Sequence, residues 1–176
     1  MTASVSHRVY LSLGSNIERE KNILACLDAL AEYFGKLIIS PVYESESVGF
    51  AGDSFYNLVV GIDSALSVGE LAVIMRDIET ANKRSRAGPK FGPRTLDIDI
   101  LTCGDLSGMV DGVALPRDEV TENAFVLLPL VDIAPDEKHP VSGKAYRDIA
   151  MNFKGRDQKL WRIDFNWQGR CISSKS

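Results

Sequence analysis

Hydrophobic residues follow two different periods along the chain. The segments "RVYLSLGSN", "KLIISPVYES", "FYNLVVGIDSA" and "RTLDIDILTC" are apolar stretches of strand length bounded by turn-forming residues. Two other stretches repeat apolar residues at helical spacing, the first at Ile23, Leu27, Leu30, Ala31 and Phe34 and the second at Leu71, Ile74, Met75 and Ile78. The pattern therefore predicts four strands and two long helices.

Polar residues near the ends of these helices predict where each helix begins and ends. Ser15 and Glu18 stand at capping-box spacing before the first helix, and Ser67 and Glu70 repeat that spacing before the second. Gly35 is placed to end the first helix, because glycine readily adopts the conformation of a helix C-cap.

The order of the predicted elements is β-α-β-β-α-β, followed by additions that include a short helix around "AYRDIAMNF". This order is typical of the α+β class with a ferredoxin-like arrangement, in which helices pack on one side of an antiparallel sheet. We expect one domain over residues 1–153 and a C-terminal extension over residues 154–176 that is packed on the domain or partly flexible.

Composition limits the class of partner. The 176 residues are 45% hydrophobic and 25% charged, as in a globular domain, and the net charge of -4 argues against a broad basic face for nucleic acid or anionic membrane. Cys26, Cys103 and Cys171 are odd in number and far apart, which argues against a disulfide framework. No apolar run has the length of a signal peptide or a membrane span. We expect a monomeric cytoplasmic protein that acts on small molecules.

The segment "RTLDIDIL" carries two acidic residues inside an apolar strand. Because strand side chains alternate between faces, Asp97 and Asp99 project together, roughly 6–7 Å apart, while Leu96, Ile98 and Ile100 project from the other face. Like charges this close repel, so a cation is needed. Mg²⁺ prefers carboxylate oxygens. The alternative is a solvated sheet face on which Arg94 or a lysine is the salt-bridge partner.

A basic segment rich in glycine and proline precedes this strand. Its cations are Lys83, Arg84, Arg86, Lys90 and Arg94. The guanidinium group of arginine matches phosphate oxygens, and a loop of this composition can close over a nucleotide. Cations and paired carboxylates at one strand end favour phosphoryl transfer, although an exposed basic loop can also be plain solvated surface.

Three motifs carry a resemblance to a known family: "LSLGSN" at the first strand, "FYNLVV" in the third, and the long pattern RxRxxxxFGPRTLDIDIL, which begins at Arg84. From about Val9 to Phe153 the chain resembles the 6-hydroxymethyl-7,8-dihydropterin pyrophosphokinases of folate biosynthesis. The resemblance implies that ATP donates its β,γ-diphosphate to the pterin hydroxymethyl oxygen and that AMP leaves.

The resemblance also implies roles for individual residues. Asp97 and Asp99 would coordinate two Mg²⁺ ions. The positions implied for ATP are Arg84, Arg86, Arg94 and Ile100, and those implied for catalysis are Arg84, Arg94, Asp97 and Asp99. The positions implied for the pterin are Ser45, Val48, Phe55, Asn57 and Phe125. The alternative is that Phe55 and Phe125 are ordinary core residues, which is the more common situation for an isolated phenylalanine.

The chain departs from the family pattern after "ALP". Arg117 replaces the usual histidine, Asn123 replaces the usual arginine, and Phe91 replaces the usual tryptophan of the loop. One hypothesis is compensation, in which Arg117 binds ATP and restores the charge lost at Asn123. The alternative is a divergent pterin- or nucleotide-binding relative with little or altered catalytic activity.

A ferredoxin-like RNA binder is a third interpretation, but the sequence lacks the aromatic sheet motif and the excess of basic residues that RNA recognition would need.

Overall fold

The computed structural model describes residues 5–46, 54–83, 96–154 and 158–175. The first half contains β1 (His7–Ser15), α1 (Arg19–Phe34), β2 (Ile38–Ile39), β3 (Tyr43–Ser45), β4 (Phe55–Ser64) and α2 (Val68–Lys83). The second half contains β5 (Asp97–Cys103), β6 (Gly108–Val110), β7 (Val113–Leu115), α3 (Glu119–Glu122), α4 (Ala124–Ile133), α5 (Tyr146–Met151), β8 (Leu160–Arg162), β9 (Phe165–Trp167) and β10 (Arg170–Ser173).

The main sheet has the strand order β5-β1-β4-β3-β8, and β2 also pairs with β4. Every pairing in it is antiparallel, so the prediction of a mixed helical and antiparallel-sheet fold is confirmed. In this register Gly14 of β1 lies opposite Asn57 on one side and Asp97 on the other. The pairing of β1 with β4 and β5 therefore fixes the end of β1 relative to the starts of β4 and β5.

The segment "KLIISPVYES" was predicted as one strand and forms two, so this prediction is wrong. The break lies at Ser40 and Pro41. Proline has no N–H to donate to a ladder, and the Ser40 hydroxyl replaces a main-chain partner by accepting a hydrogen bond from the N–H of Val59 (2.9 Å).

The first predicted capping box is also wrong. Ser15 is the last residue of β1 and is fully buried, and its hydroxyl donates to the carbonyl of Ile17 (3.0 Å). Helix α1 begins only at Arg19 and is preceded by Glu18, whose φ of 40° is left-handed. The pairing of β1 with β4 extends to Ser15 and so removes it from the helix start.

The second capping box and the glycine stop are confirmed. The N–H of Ser67 donates to the Glu70 carboxylate and the N–H of Glu70 donates to the Ser67 hydroxyl, both at 3.1 Å. Gly35 has a φ of 77° and donates its N–H to the carbonyl of Ala31 (2.8 Å), which ends α1. These local signals survive because no strand pairing competes with them.

Helices cover both faces of the sheet, whereas the sequence predicted helices on one side. Val9 and Leu58 pack with Leu27 of α1 in the larger core. Their neighbours Tyr10 and Val59 point the other way and pack in a second core that includes α4 and α5. The apolar segment "AFVLLPLVDI" forms α4 and buries the second face. Among the described helices, none has the length and apolar content needed to cross a membrane.

The described part of the C-terminal extension joins the sheet and the core. Strand β8 pairs with β3, so that Arg162 lies opposite Tyr43. Arg162 donates to the Tyr43 oxygen (3.1 Å), and the Tyr43 hydroxyl donates to Asp132 of α4. Burial, together with the hydrogen bond to Asp132, raises the pKa of Tyr43 to about 12, so it stays a neutral donor. This network joins β8, β3 and α4.

The hairpin that follows β8 packs on the opposite face. Phe165 and Trp167 are buried in the larger core, and the Trp167 indole donates to Asp28 of α1 (2.9 Å). The extension thus contacts both layers of helices. The division of the chain at residue 154 stays a prediction.

Candidate active site

A cavity of about 610 Å³ opens at the end of the sheet where β4 and β5 begin and β1 ends. Its lining includes both aspartates of "DID" and four of the residues predicted to bind the pterin. Those four are Ser45, Phe55, Asn57 and Phe125. The structure therefore brings the two predicted halves of the site, acidic and aromatic, into one cavity.

The acidic half is built by the pairing of β5 with β1. Asp97 lies opposite Gly14 and Asp99 lies opposite Ser12, and both aspartates are half-buried and line the cavity. Ile98 between them is buried in the larger core on the other face. The prediction that the two carboxylates share one face of the strand is confirmed.

Helix α2 helps to hold the acidic strand in place. The N–H of Ile98, the residue between the two aspartates, donates to the carboxylate of Glu79 (2.9 Å). Because β5 is at the edge of the main sheet, this side chain takes the place of a neighbouring strand. No local sequence pattern marks Glu79, since the contact depends on how α2 packs along β5.

Arg117 supplies positive charge beside the carboxylates. Its guanidinium lies 3.7 Å from a carboxylate oxygen of Asp99 and 3.2 Å from one of Glu119. Its main-chain N–H donates to the carbonyl of Leu101 in β5 (2.9 Å), which fixes its position relative to the acidic strand. Among the described residues, Arg117, which departs from the family pattern, thus places a positive charge beside Asp99. The predicted binding of Mg²⁺ by the aspartates stays a prediction.

The aromatic half is built around Asn57. This side chain is only 5% exposed, and its amide nitrogen donates to the hydroxyl of Ser45 (3.4 Å). Phe55 and Phe125 are half-buried on the cavity wall, and Phe125 also packs against the second core. Phe125 therefore lines the cavity and also belongs to the core, and its assignment to the pterin stays a prediction.

Gly14 makes room for the Asn57 amide. A Cβ atom at Gly14 would lie 2.9 Å from Asn57 Oδ1, closer than real Cβ contacts allow. Gly14, the glycine of "LSLGSN", lies between Asp97 and Asn57 in the sheet. Because it has no side chain, the Asn57 amide can approach the main chain of β1 closely.

The structure says less about the other predicted site residues than about those that line the cavity. Arg84, Arg86, Arg94 and Val48 lie outside the described residues. Ile100 is 5% exposed and packs in the larger core, on the face opposite the aspartates. Its assignment to ATP stays a prediction.

The cavity also has residues that the sequence did not identify. They are Ser12, Gly14, Glu119, Gln158, Lys159 and Leu160. Strand alternation from Asp99 and its partner strand would have found Ser12 only if the register had been known. The last three come from the C-terminal extension, whose position in the fold no local pattern predicts.

The chain is similar to known proteins over most of its length. The model of the 7,8-dihydro-6-hydroxymethylpterin-pyrophosphokinase (HPPK) family matches residues 10–135. The 2-amino-4-hydroxy-6-hydroxymethyldihydropteridine pyrophosphokinase of Pseudomonas aeruginosa is 37% identical over 137 residues, 76% of this chain and 84% of that protein. The enzyme of the same name from Aquifex aeolicus is 33% identical over 143 residues, 80% of this chain and 89% of that protein.

A solved structure shows the same fold. The crystal structure of Plasmodium falciparum HPPK-DHPS superposes with a TM-score of 0.71 at 17% identity and covers 97% of this chain. This chain spans half the length of that one. With the family match over residues 10–135 and relatives above 30% identity, the conclusion is that the chain belongs to the HPPK family.

Proposed function

We propose that this protein transfers diphosphate from ATP to the hydroxymethyl group of 6-hydroxymethyl-7,8-dihydropterin and releases AMP, a step of folate biosynthesis. The observation that carries the proposal is the single cavity in which Asp97 and Asp99 face the same space as Asn57 and the two phenylalanines. The relatives named pyrophosphokinases support the same reaction class.

The acidic half suits a metal-bound triphosphate. Among the described residues, no group of three or more histidine, cysteine or acidic side chains is arranged to hold a metal. A carboxylate pair fits Mg²⁺, which is usually held by one or two carboxylates with phosphates and water. We assign Asp97 and Asp99 to two Mg²⁺ ions. When bound, these ions would neutralise the phosphate charge that builds up during transfer.

Cations of the chain would complete the nucleotide site. We assign Arg84, Arg86 and Arg94 to the phosphates of ATP, with Arg84 and Arg94 acting in catalysis, because their guanidinium groups suit bidentate phosphate contacts. Arg117 stands at the edge of the acidic half, within 3.7 Å of Asp99. The pairing of Arg117 with Asp99 supports the compensation hypothesis, because it places the guanidinium group beside the proposed triphosphate site. A bound triphosphate would then replace the carboxylates as the partner of Arg117.

The aromatic half suits a flat heterocycle. The pterin would stack between Phe55 and Phe125, and the Asn57 amide, which offers a donor and an acceptor, would bind its edge. Ser45 and Val48 would add contacts from the strand end and the segment after it. The two reactants would thus meet between the carboxylates and Asn57, and catalysis would come mainly from positioning and charge neutralisation.

The remaining expectations stand as parts of the proposal. The strand order β5-β1-β4-β3 is the order of a split βαβ unit, which supports a ferredoxin-like classification with C-terminal additions. We also propose a cytoplasmic monomer that contacts neither nucleic acid nor membrane, as its acidic balance and separated cysteines suggest.

A non-catalytic binder is not favoured. The chain keeps both carboxylates on one face of β5, and a protein that only binds a pterin has no need of them. The wild-type protein should release AMP from ATP only when Mg²⁺ and the hydroxymethylpterin are both present. Release of ADP, or no release, would contradict the proposed reaction.

Replacing either carboxylate should abolish this reaction while the fold is kept. Asp97→Asn and Asp99→Asn each remove a proposed metal ligand but keep the side-chain size. Mutating a residue that only hydrogen-bonds to a metal ligand can cost up to ~100-fold, so losing the ligand itself should lower AMP release by more than ~100-fold. Asp105→Asn, on an exposed turn after β5, is the matched control and should retain activity. Activity within tenfold of wild type in both variants would rule out the carboxylate pair as the metal site.

Removing Arg117 should weaken nucleotide binding. Charged hydrogen bonds contribute at least ~1 kcal/mol, so Arg117→Ala should raise the Kd of a non-hydrolysable ATP analogue with Mg²⁺ at least about fivefold in calorimetry. Arg147→Ala removes a surface arginine paired with Asp136 and serves as the control. An unchanged Kd for Arg117→Ala would end the compensation hypothesis.

Filling the space at Gly14 should act on the pterin half. The added Cβ of Gly14→Ala would displace the Asn57 amide, 2.9 Å away, so the Kd for the pterin should rise more than the Kd for the nucleotide. In an Asn57→Ala background the displaced amide is absent, and Gly14→Ala should then add little. Equal effects of Gly14→Ala in both backgrounds would show that it does not act through Asn57.

A further inference from the structure

The C-terminal extension forms one wall of the cavity. Gln158, Lys159 and Leu160 line it, and all three lie beyond residues 10–135, the part matched by the family model. Two of them contact segments that carry residues of the aromatic half, namely β3 with Ser45 and α4 with Phe125. Leu160 lies opposite Ser45 in the pairing of β8 with β3, and Gln158 contacts the start of α4.

Gln158 supplies a helix cap that the local sequence lacks. Its side-chain oxygen accepts a hydrogen bond from the N–H of Ala124, the first residue of α4, at 2.7 Å. Asn123 occupies the N-cap position and has a suitable side chain, but it makes no capping hydrogen bond. The first N–H groups of a helix have no partner within the helix, so Gln158 satisfies one of them from 34 residues away.

This cap is adjacent to the aromatic wall. Phe125 follows Ala124 directly and lines the same cavity as Gln158. The orientation of the Gln158 amide is set by its partner, because an N–H donor must meet the oxygen rather than the nitrogen. A change in the position of the first turn of α4 would therefore move Phe125.

The residues that follow Gln158 contact both β3 and α4. Arg162 of β8 donates to Asp132 of α4 (2.7 Å), and the Trp161 indole donates to Glu44 of β3 (2.9 Å). The main-chain N–H of Glu46 donates to the carbonyl of Lys159 (3.3 Å). Gln158 is thus presented to α4 by residues joined to both β3 and α4, which suits a positioning role.

We propose that Gln158 is a positioning residue for the heterocyclic substrate: by capping α4 it fixes Phe125 against one face of the bound ring. The proposal rests on the proposed function, since the ring is the pterin assigned to this cavity. Gln158 acts through Phe125 and takes no part in the transfer of diphosphate. It should therefore affect pterin binding and leave nucleotide binding unchanged.

The test compares Gln158→Ala and Gln158→Glu with wild type. Loss of a cap should raise the Kd and KM for the pterin about five- to tenfold in Gln158→Ala, while the Kd of an ATP analogue changes by less than about twofold. Gln158→Glu keeps an acceptor for the Ala124 N–H and should restore pterin affinity to within about twofold of wild type.

Trp167→Phe is the structural control from the same extension. It removes the indole hydrogen bond to Asp28 on the opposite face of the sheet, and Trp167 is not among the residues that line the cavity. It should lower the denaturation midpoint without altering pterin affinity. A pterin Kd that rises in Trp167→Phe as much as in Gln158→Ala would reduce the role of Gln158 to general stability and overturn the proposal.

A double-mutant cycle with Phe125→Ala tests whether Gln158 acts through Phe125. The two changes should be strongly non-additive, because removing the ring removes what the cap positions. Additive effects, wild-type pterin affinity in Gln158→Ala, or failure of Gln158→Glu to restore it would each overturn the proposal. If wild type binds no pterin and releases no AMP, the proposed function fails as well, so the two failures are distinguishable.

Discussion

The register of β1 against its two neighbours is the constraint on which the site depends. Gly14 pairs with Asp97 on one side and with Asn57 on the other, so a carboxylate and an amide that are 40 residues apart in the chain flank one glycine. A slip of one residue in either pairing would turn one of these side chains into the core of α1 and α2. The antiparallel ladder therefore sets the distance between the acidic and aromatic halves.

The acidic half depends on two neighbouring side chains, one that holds its strand and one that compensates its charge. Glu79 accepts from the main chain between the two aspartates and holds the edge strand, and Arg117 places a guanidinium beside Asp99. Arg117 also pairs with Glu119, so it is shared between two carboxylates. A polyphosphate entering with its metal ions would offer Arg117 phosphate oxygens in place of these carboxylates, since guanidinium groups form charge-assisted pairs with both.

Much of the fold could be predicted because its signals are local. Strand alternation placed Asp97 and Asp99 on one face, and Ser67 with Glu70 marked the start of α2. Prediction failed where a distant partner decides the outcome. Ser15 has the spacing of a cap but is drawn into β1 by its pairing with Tyr56 of β4.

The missed site residues have the same cause. Gln158 caps a helix 34 residues away, and Gly14 is needed only because Asn57 lies 2.9 Å from where its Cβ would be. Neither contact corresponds to a repeating pattern of residues that could be recognised in the sequence. The coverage of the second face by α4 was missed for a related reason, since its apolar residues show hydrophobicity but not which face they bury.

The most direct test of the central claim is a crystal structure with Mg²⁺, a non-hydrolysable ATP analogue and the hydroxymethylpterin bound together. The account predicts metal in contact with the carboxylates of both Asp97 and Asp99, and the ring between Phe55 and Phe125 with its edge on Asn57. Metal bound away from either carboxylate, or the ring seated outside the two phenylalanines, would contradict it.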